Sequence, residues 1–146
     1  MYYFAYGSNM NHALFFGRCP GATFIGPARL ADRCLIFDGL AVVKHGATAN
    51  MMRSRDEFLW GGVFEITEEH LAVLDDFEGY PKSFTRTLMD VERFEPHQKI
   101  KAWVYWREEE PVGIPAQSYI TTILQGARDC HLPKEYIAEL EPHKYY

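Results

Sequence analysis

The sequence predicts one α+β domain, spanning residues 1–146, built on an antiparallel sheet that is either open or closed into a barrel. Its 146 residues suffice for a single domain, and 47% of them are apolar and 15% aromatic, enough for a packed core. The predicted elements run strand and helix, then a mainly β region, then two helices, an order typical of α+β rather than alternating α/β proteins. No linker or internal repeat divides the chain.

The first predicted elements are a buried strand, a turn and a short helix. Residues 2–6 (YYFAY) are aromatic and apolar throughout, which is typical of a buried strand. Gly7 ends that strand, and Ser8 and Asn9 are the candidate N-caps of the helix that follows. The Arg-Cys-Pro-Gly sequence at residues 18–21 ends the helix.

The middle of the chain gives a mixed signal. Extended structure is predicted for residues 24–37, with a break near residues 31–33. Residues 38–58 contain scattered glycines and charges, so we expect a long loop there with one strand near residues 47–49. Residues 60–66 return to a strand, and their glycines indicate a bulge or a close approach to the backbone.

The second half of the chain has clearer patterns. Thr67 begins a helix that ends by Gly79, and two β-rich runs, residues 84–91 and 100–106, predict a hairpin. Apolar residues at helical spacing predict a helix over residues 116–127, with Pro115 at its first position. Pro133 begins a last, shorter helix through Leu140, which Pro142 prevents from extending.

Charge and composition exclude several classes of partner. Fifteen Lys and Arg against twenty Asp and Glu leave a net charge of −5, and the candidate basic residues, Arg53, Arg55, Lys99 and Lys101, belong to a basic set that is interleaved with acids. We therefore expect no nucleic-acid partner. The apolar runs are too short for a membrane helix, so no membrane partner is expected. An odd number of cysteines and no leader sequence favour the cytoplasm.

The signatures of several common catalytic chemistries are missing. The sequence has no phosphate-binding Gly-Lys-Ser/Thr loop, no dinucleotide fingerprint, no Gly-x-Ser-x-Gly elbow and no paired-cysteine zinc spacing. Its six histidines are scattered singly. We therefore expect neither a metal nor a cofactor.

The first candidate site is the turn formed by Tyr6, Gly7, Ser8 and Asn9, which we call the 6–9 turn. A strand that passes through glycine into a helix start leaves successive backbone N–H groups without intrahelical acceptors. Such a turn binds anions or oxyanions, and the Ser8 or Asn9 side chain can add a hydrogen bond. The alternative is an ordinary capped turn.

The second candidate site lies at the end of the predicted 67–79 helix. Asp75, Asp76 and Glu78 stand where the helix dipole disfavours negative charge. Partial desolvation between Phe77 and Tyr80 would raise the pKa of Glu78, as a general acid/base requires. The alternative is that the three carboxylates form a solvated face.

Together these segments resemble the γ-glutamylcyclotransferase family, also called the AIG2-like family. Residues 2–10 (YYFAYGSNM) are similar to that family's substrate loop, and further similarities follow in order at residues 18–20, 60–61, 74–79, 115–119 and 126–136. The resemblance implies a small mixed or antiparallel six-stranded β-barrel with flanking helices. It also implies a cavity between the 6–9 turn and Glu78.

The resemblance implies a reaction as well: a γ-glutamyl amino acid or amine cyclises to 5-oxoproline and releases its amine. The substrate's own α-amine is the nucleophile and already lies within ring-closing distance, so the protein need only move protons. Glu78 would be the general acid/base, and the 6–9 turn would bind the oxyanion or the α-carboxylate. A monomer or a homodimer is expected.

Departures from the family pattern leave open alternatives. Phe84 stands where related sequences carry a tyrosine, and Tyr80 or Tyr105 is the candidate replacement for its hydroxyl. His131 replaces a usual glycine, and Asn9 replaces the leucine of the glutathione-specific branch, which argues against glutathione as the substrate. The alternative function is a non-catalytic module on the same fold that binds a small acid or a protein partner.

Overall fold

The computed structural model describes residues 1–41 and 46–141. A short 3-10 turn, Ser8–Met10, follows the first strand. The strands are β1 (Tyr2–Ala5), β2 (Thr23–Ala41), β3 (Gly46–Glu65), β4 (Thr85–Arg93) and β5 (Gln98–Trp106). The helices are α1 (His12–Arg18), α2 (Glu68–Glu78), α3 (Gln117–Asp129) and α4 (Lys134–Leu140). None of the helices in these ranges is long and apolar enough to cross a bilayer.

The five strands close into a barrel in the order β1-β3-β2-β4-β5. All neighbouring strands pair antiparallel except β1 and β5, which pair parallel through Tyr3 and Trp103. The predicted class, a barrel of this kind with flanking helices, is confirmed. The barrel has five strands rather than six because β2 and β3 are each one long strand of 19 and 20 residues.

The prediction of a long loop over residues 38–58 is wrong. β2 continues to Ala41 and β3 begins at Gly46, and the two pair along their length, for example Leu35 with Met51. Two polar residues of this range, Asp38 and Asn50, are buried and hydrogen-bond to each other across the two strands, whereas the charged residues 53 and 55–57 are exposed. The break expected near residues 31–33 is confirmed as a register shift within β2.

The helix ends agree with the sequence at both termini of α2 and differ at the starts of α1 and α3. Thr67 caps α2 and Gly79 ends it in the left-handed conformation, at φ 71°. The cap of α1 is Asn11, whose side chain accepts from Leu14 N–H, because Ser8 and Asn9 are taken up by the 3-10 turn. Helix α3 begins at Gln117, after Pro115 rather than at it.

The last predicted helix is confirmed as α4, which follows Pro133 directly. Pro142, expected to stop it, lies outside the described residues.

Close packing of the backbone positions the first strand and the turn after it. A Cβ at Gly61 would lie 2.2 Å from the Ala5 carbonyl oxygen, so the glycine marks a close approach rather than a bulge. A Cβ at Gly126 would lie 2.5 Å from Asn11 N, so α3 packs directly on the 3-10 turn. The aromatic core continues behind them, where the Phe15 and Phe64 ring centroids are 4.3 Å apart. The 6–9 turn is thereby held between the barrel and α3.

Candidate active site

A cavity of about 390 Å³ opens where β1, α2, the end of β5 and α3 meet. Tyr6, Gly7, Ser8, Asn9 and Glu78 all line it. The structure therefore brings both candidate segments to one cavity, although they are far apart in sequence. Their roles in binding and catalysis stay predictions.

The 6–9 turn is anchored at its first residue and tightly packed at its second. The buried Tyr6 hydroxyl donates to the Tyr105 carbonyl at 2.7 Å. A Cβ at Gly7 would lie 3.2 Å from the Ala49 Cβ, so the turn runs close against β3. Met10 N–H donates to Gly7 O at 3.1 Å, and as in any helix the first N–H groups of this 3-10 turn have no acceptor within it.

Asn9 connects the turn to its surroundings rather than facing open solvent. It is 4% exposed, and its Nδ2 donates to the Tyr3 hydroxyl at 3.1 Å. Its Oδ1 accepts from Arg18 Nη1 at 2.6 Å. The Arg18 guanidinium in turn lies 3.4 Å from the ring centroid of Phe77, the neighbour of Glu78. Asn9 thus helps to hold the 6–9 turn against the end of α2.

The three carboxylates near the end of α2 have different environments. Asp75 accepts from Arg86 Nε at 2.7 Å and from the Tyr105 hydroxyl at 2.6 Å, while Asp76 is exposed. Burial by itself would raise the pKa of Asp75, but the bonds from Arg86 and Tyr105 outweigh it and lower that pKa. Glu78 is half-buried in the cavity wall. A common solvated face is therefore wrong.

The backbone around Glu78 is fixed by the residues that follow it. Ser83 N–H donates to Gly79 O at 2.8 Å, and Phe84 N–H donates to Glu78 O at 3.3 Å. The charge of Glu78 also affects two tyrosines on the opposite side of the cavity. The pKa values of Tyr3 and Tyr6 are raised, mainly by burial and secondly by the negative charge of Glu78. Glu78 is therefore electrostatically coupled to the strand that leads into the 6–9 turn.

The two tyrosines considered as replacements at Phe84 lie in different places. Tyr105 lines the cavity together with Phe84, and its hydroxyl is bonded to Asp75. Tyr80 is not among the lining residues; it is 38% exposed and its ring lies 4.5 Å from the Arg86 guanidinium. Of the two, Tyr105 is the one that contributes to the site.

Sequence reasoning missed a group of charged residues at the cavity wall, which we call the Arg107 cluster: Arg107 and Glu110, which line the cavity, and Asp38, which is buried behind them. Arg107 Nη2 is paired with the Asp38 carboxylate, and Arg107 Nη1 with Glu110 Oε2 at 2.9 Å. Asp38 is fully buried and also accepts from Asn50 Nδ2 at 3.1 Å. The position of Arg107 directly after a β-rich run was the available signal, since ligand sites gather where strands end.

Tyr119 was also missed, because its spacing placed it with the apolar face of α3. Its hydroxyl accepts from Ala49 N–H at 2.9 Å, and the side chain lines the cavity. Burial, with a smaller effect of the Glu78 charge, raises the pKa of Tyr119 to about 12. The hydroxyl is therefore protonated at neutral pH. Within residues 1–41 and 46–141, no three His, Cys, Asp or Glu side chains form a group that could hold a metal ion.

Comparison with known proteins agrees with this fold. The model of the AIG2-like family matches residues 58–140. The gamma-glutamylcyclotransferase of Homo sapiens is 30% identical, and that of Mus musculus 29%, each over 98% of this chain and 80% of the relative. A solved structure of a gamma-glutamyl cyclotransferase superimposes with a TM-score of 0.90 at 28% identity, over 97% of this chain and 86% of that one. The chain belongs to the AIG2-like family of γ-glutamylcyclotransferases.

Proposed function

We propose that this protein is a γ-glutamylcyclotransferase that converts a γ-glutamyl amino acid or a γ-glutamyl amine to 5-oxoproline and the free amine. The observation that carries the proposal is the shared cavity of Glu78 and the 6–9 turn, in a chain whose relatives bear that name. At about 390 Å³ the cavity has the size of a small-molecule site.

In the proposed reaction the α-amine nitrogen attacks the γ-glutamyl carbonyl carbon, and the bond from that carbon to the leaving nitrogen breaks. Glu78 accepts the proton that the α-amine loses as the ring closes. It then donates this proton to the leaving nitrogen as the tetrahedral intermediate collapses. Proton transfer of this kind contributes about 10²- to 10⁴-fold to a rate.

The 6–9 turn is proposed to bind the charged part of the substrate through its backbone. N–H groups at the start of the 3-10 turn point away from the turn's own carbonyls and are suited to an oxyanion or an α-carboxylate. Neutral N–H dipoles suit a protein of net charge −5 that must bind an anionic group. Their geometry depends on the anchors at Tyr6 and Asn9.

The test is mass-spectrometric detection of 5-oxoproline after incubation with γ-glutamyl amino acids and ε-(γ-glutamyl)lysine. We expect release by the wild type and a loss of at least about 100-fold in Glu78→Gln, because the proton carrier is removed. Asp76→Asn is the matched control, since it makes the same charge change in the same helix at an exposed position. It should keep the wild-type rate.

Two results would contradict the proposal. Wild-type turnover by Glu78→Gln would show that Glu78 is not the acid/base. No 5-oxoproline from any substrate, with a folded wild type by circular dichroism, would favour the non-catalytic binding module.

We place the activity in the cytoplasm because Cys19, Cys34 and Cys130 are all free thiols, as a reducing compartment maintains them.

A further inference from the structure

We propose that Glu110 selects among leaving amines, favouring those with a distal ammonium group over those with a distal carboxylate. This inference rests on the proposed function and concerns the half of the substrate that departs. It comes from the charge of the Arg107 cluster and from its place in the cavity wall.

The Arg107 cluster carries more negative than positive charge. One guanidinium is paired with two carboxylates, since Asp38 binds Arg107 Nη2 and Glu110 Oε2 binds Arg107 Nη1 at 2.9 Å. Asp38 is fully buried, whereas the Glu110 side chain is 49% exposed and lines the cavity. Glu110 is therefore the carboxylate of this group that a ligand in the cavity can reach.

The Arg107 cluster lies near the C-terminal end of helix α2, where Glu78 is located. Phe84 connects the two, because its N–H donates to Glu78 O at 3.3 Å and its ring lies 5.0 Å from Arg107 Cζ. If the 6–9 turn holds the glutamyl half and Glu78 meets the scissile amide, the leaving amine extends along Phe84 toward Glu110.

A distal carboxylate would meet an unfavourable charge at the same place. The positive charge of Arg107 is already shared by Asp38 and Glu110, so a third carboxylate would face like charge. Like-charge contacts of this kind reject the wrong partner as effectively as new contacts attract the right one. The Arg107 cluster therefore selects among leaving amines by the sign of the charge at their distal end.

The experiment uses three γ-glutamyl amides of matched length, made from diaminobutane, aminopentanoate and pentylamine. They end in an ammonium, a carboxylate and a methyl group, and kcat/KM is measured for each by 5-oxoproline release. In the wild type we expect the ammonium amide to exceed the carboxylate amide by about tenfold or more. Glu110→Gln should reduce that ratio by about tenfold.

The control is Glu109→Gln, the same charge change at an exposed neighbour that is not among the cavity-lining residues. It should move the ratio by less than about twofold, since it changes only the distant field. A wild type that prefers the carboxylate amide, or a ratio that Glu110→Gln moves no more than Glu109→Gln, would overturn the inference.

A binding measurement keeps this test independent of catalysis. The three amides are titrated into Glu78→Gln and into Glu78→Gln/Glu110→Gln by calorimetry. Tighter binding of the ammonium amide, lost in the double variant, would support the selectivity even without turnover. Equal binding of the three amides would overturn it, while a failure of the proposed function alone would appear as missing 5-oxoproline.

Discussion

Asp38 is a fully buried carboxylate whose hydrogen-bond donors come from three places in the chain. Arg107 follows β5, Asn50 Nδ2 donates at 3.1 Å from β3, and Glu110 N–H donates at 2.9 Å from the segment beyond. A buried charge is tolerated only when it is paired and hydrogen-bonded. This one residue therefore ties the end of β2 to the part of the chain that forms the cavity wall.

Removing that carboxylate should be costly. We expect Asp38→Ala to lower the free energy of unfolding by about 3 kcal/mol, because Arg107 and Asn50 would lose a buried partner. Asp90→Ala is the control, since its ion pair with Lys101 is exposed and should contribute less than about 1 kcal/mol. Urea denaturation at pH 7 measures both. Similar losses in the two variants would contradict the structural importance of Asp38.

At the scale of elements, the Asp75 carboxylate binds helix α2 to the β4–β5 hairpin. Asp75 accepts from Arg86 on β4 and from Tyr105 on β5, and Arg86 is itself packed between the rings of Tyr80 and Trp103. Since Asp75 lies one turn before Glu78, this contact sets where the last turn of α2 presents Glu78. The docking contact thus helps to position Glu78 in the cavity wall.

The lowered pKa of Asp75 gives this docking a pH dependence. A carboxyl group with a lowered folded-state pKa contributes stability above its unfolded value, about 3.9, and loses it as the pH falls through the folded value. We expect the wild type to exceed Asp75→Asn in unfolding free energy by a constant amount between about pH 5 and pH 7. The difference should shrink progressively below about pH 4.

Denaturant titrations across this pH range measure the difference. Asp76→Asn serves as the control, because this exposed side chain should differ from the wild type by less than about 0.5 kcal/mol throughout. A difference for Asp75→Asn that persists undiminished in acid would show that the ionised carboxylate is not what holds α2.

At the scale of the whole molecule, the barrel closes through β1, which pairs with β3 on one side and β5 on the other. The approach of β1 to β3 leaves no room for a side chain at Gly61, whose Cβ would meet Ala5 O at 2.2 Å and Phe4 Cζ at 2.8 Å. Strand β1 also leads directly into the 6–9 turn. Closure of the barrel and the shape of the cavity are therefore coupled.

Gly61→Ala should weaken the whole barrel. We expect a loss of at least about 2 kcal/mol, because the added Cβ collides with backbone that cannot move away, and a fall in Tm of roughly 5–10 °C. Gly17→Ala makes the same change in α1, where a Cβ would have nothing within 4 Å, and should not lower Tm. Thermal unfolding followed by circular dichroism compares them. An unchanged Tm in Gly61→Ala would contradict the tight approach.

The sequence predicted those parts of the fold that carry their signal locally. The aromatic β1, the capped α2 and the apolar face of α3 were all recognisable from patterns of a few residues. The ends of β2 and β3 were not, because Asp38 and Asn50 resemble loop residues until their pairing across the strands is known. Polar residues that hydrogen-bond to each other from separate positions in the sequence produce no periodic pattern.

The site was predictable to a similar extent. Glu78 broke a local rule at the end of a helix, and the 6–9 turn followed a recognisable strand, so both stood out. Arg107 and Glu110 did not, since a charged run after a strand, such as residues 107–110 (REEE), is most often a solvated surface. Only the fold shows that a buried carboxylate of β2 holds them in the cavity wall.

The parallel pairing of β1 with β5 also affects the order in which parts of the fold form. The barrel neighbours of Tyr3 are Phe64 and Trp103, which lie far from it along the chain, and such distant pairings form slowly. The 6–9 turn, which follows β1, takes its shape only when these partners arrive. In a collapsed chain with an open barrel the turn is not yet shaped, so the cavity that it lines is completed late in folding.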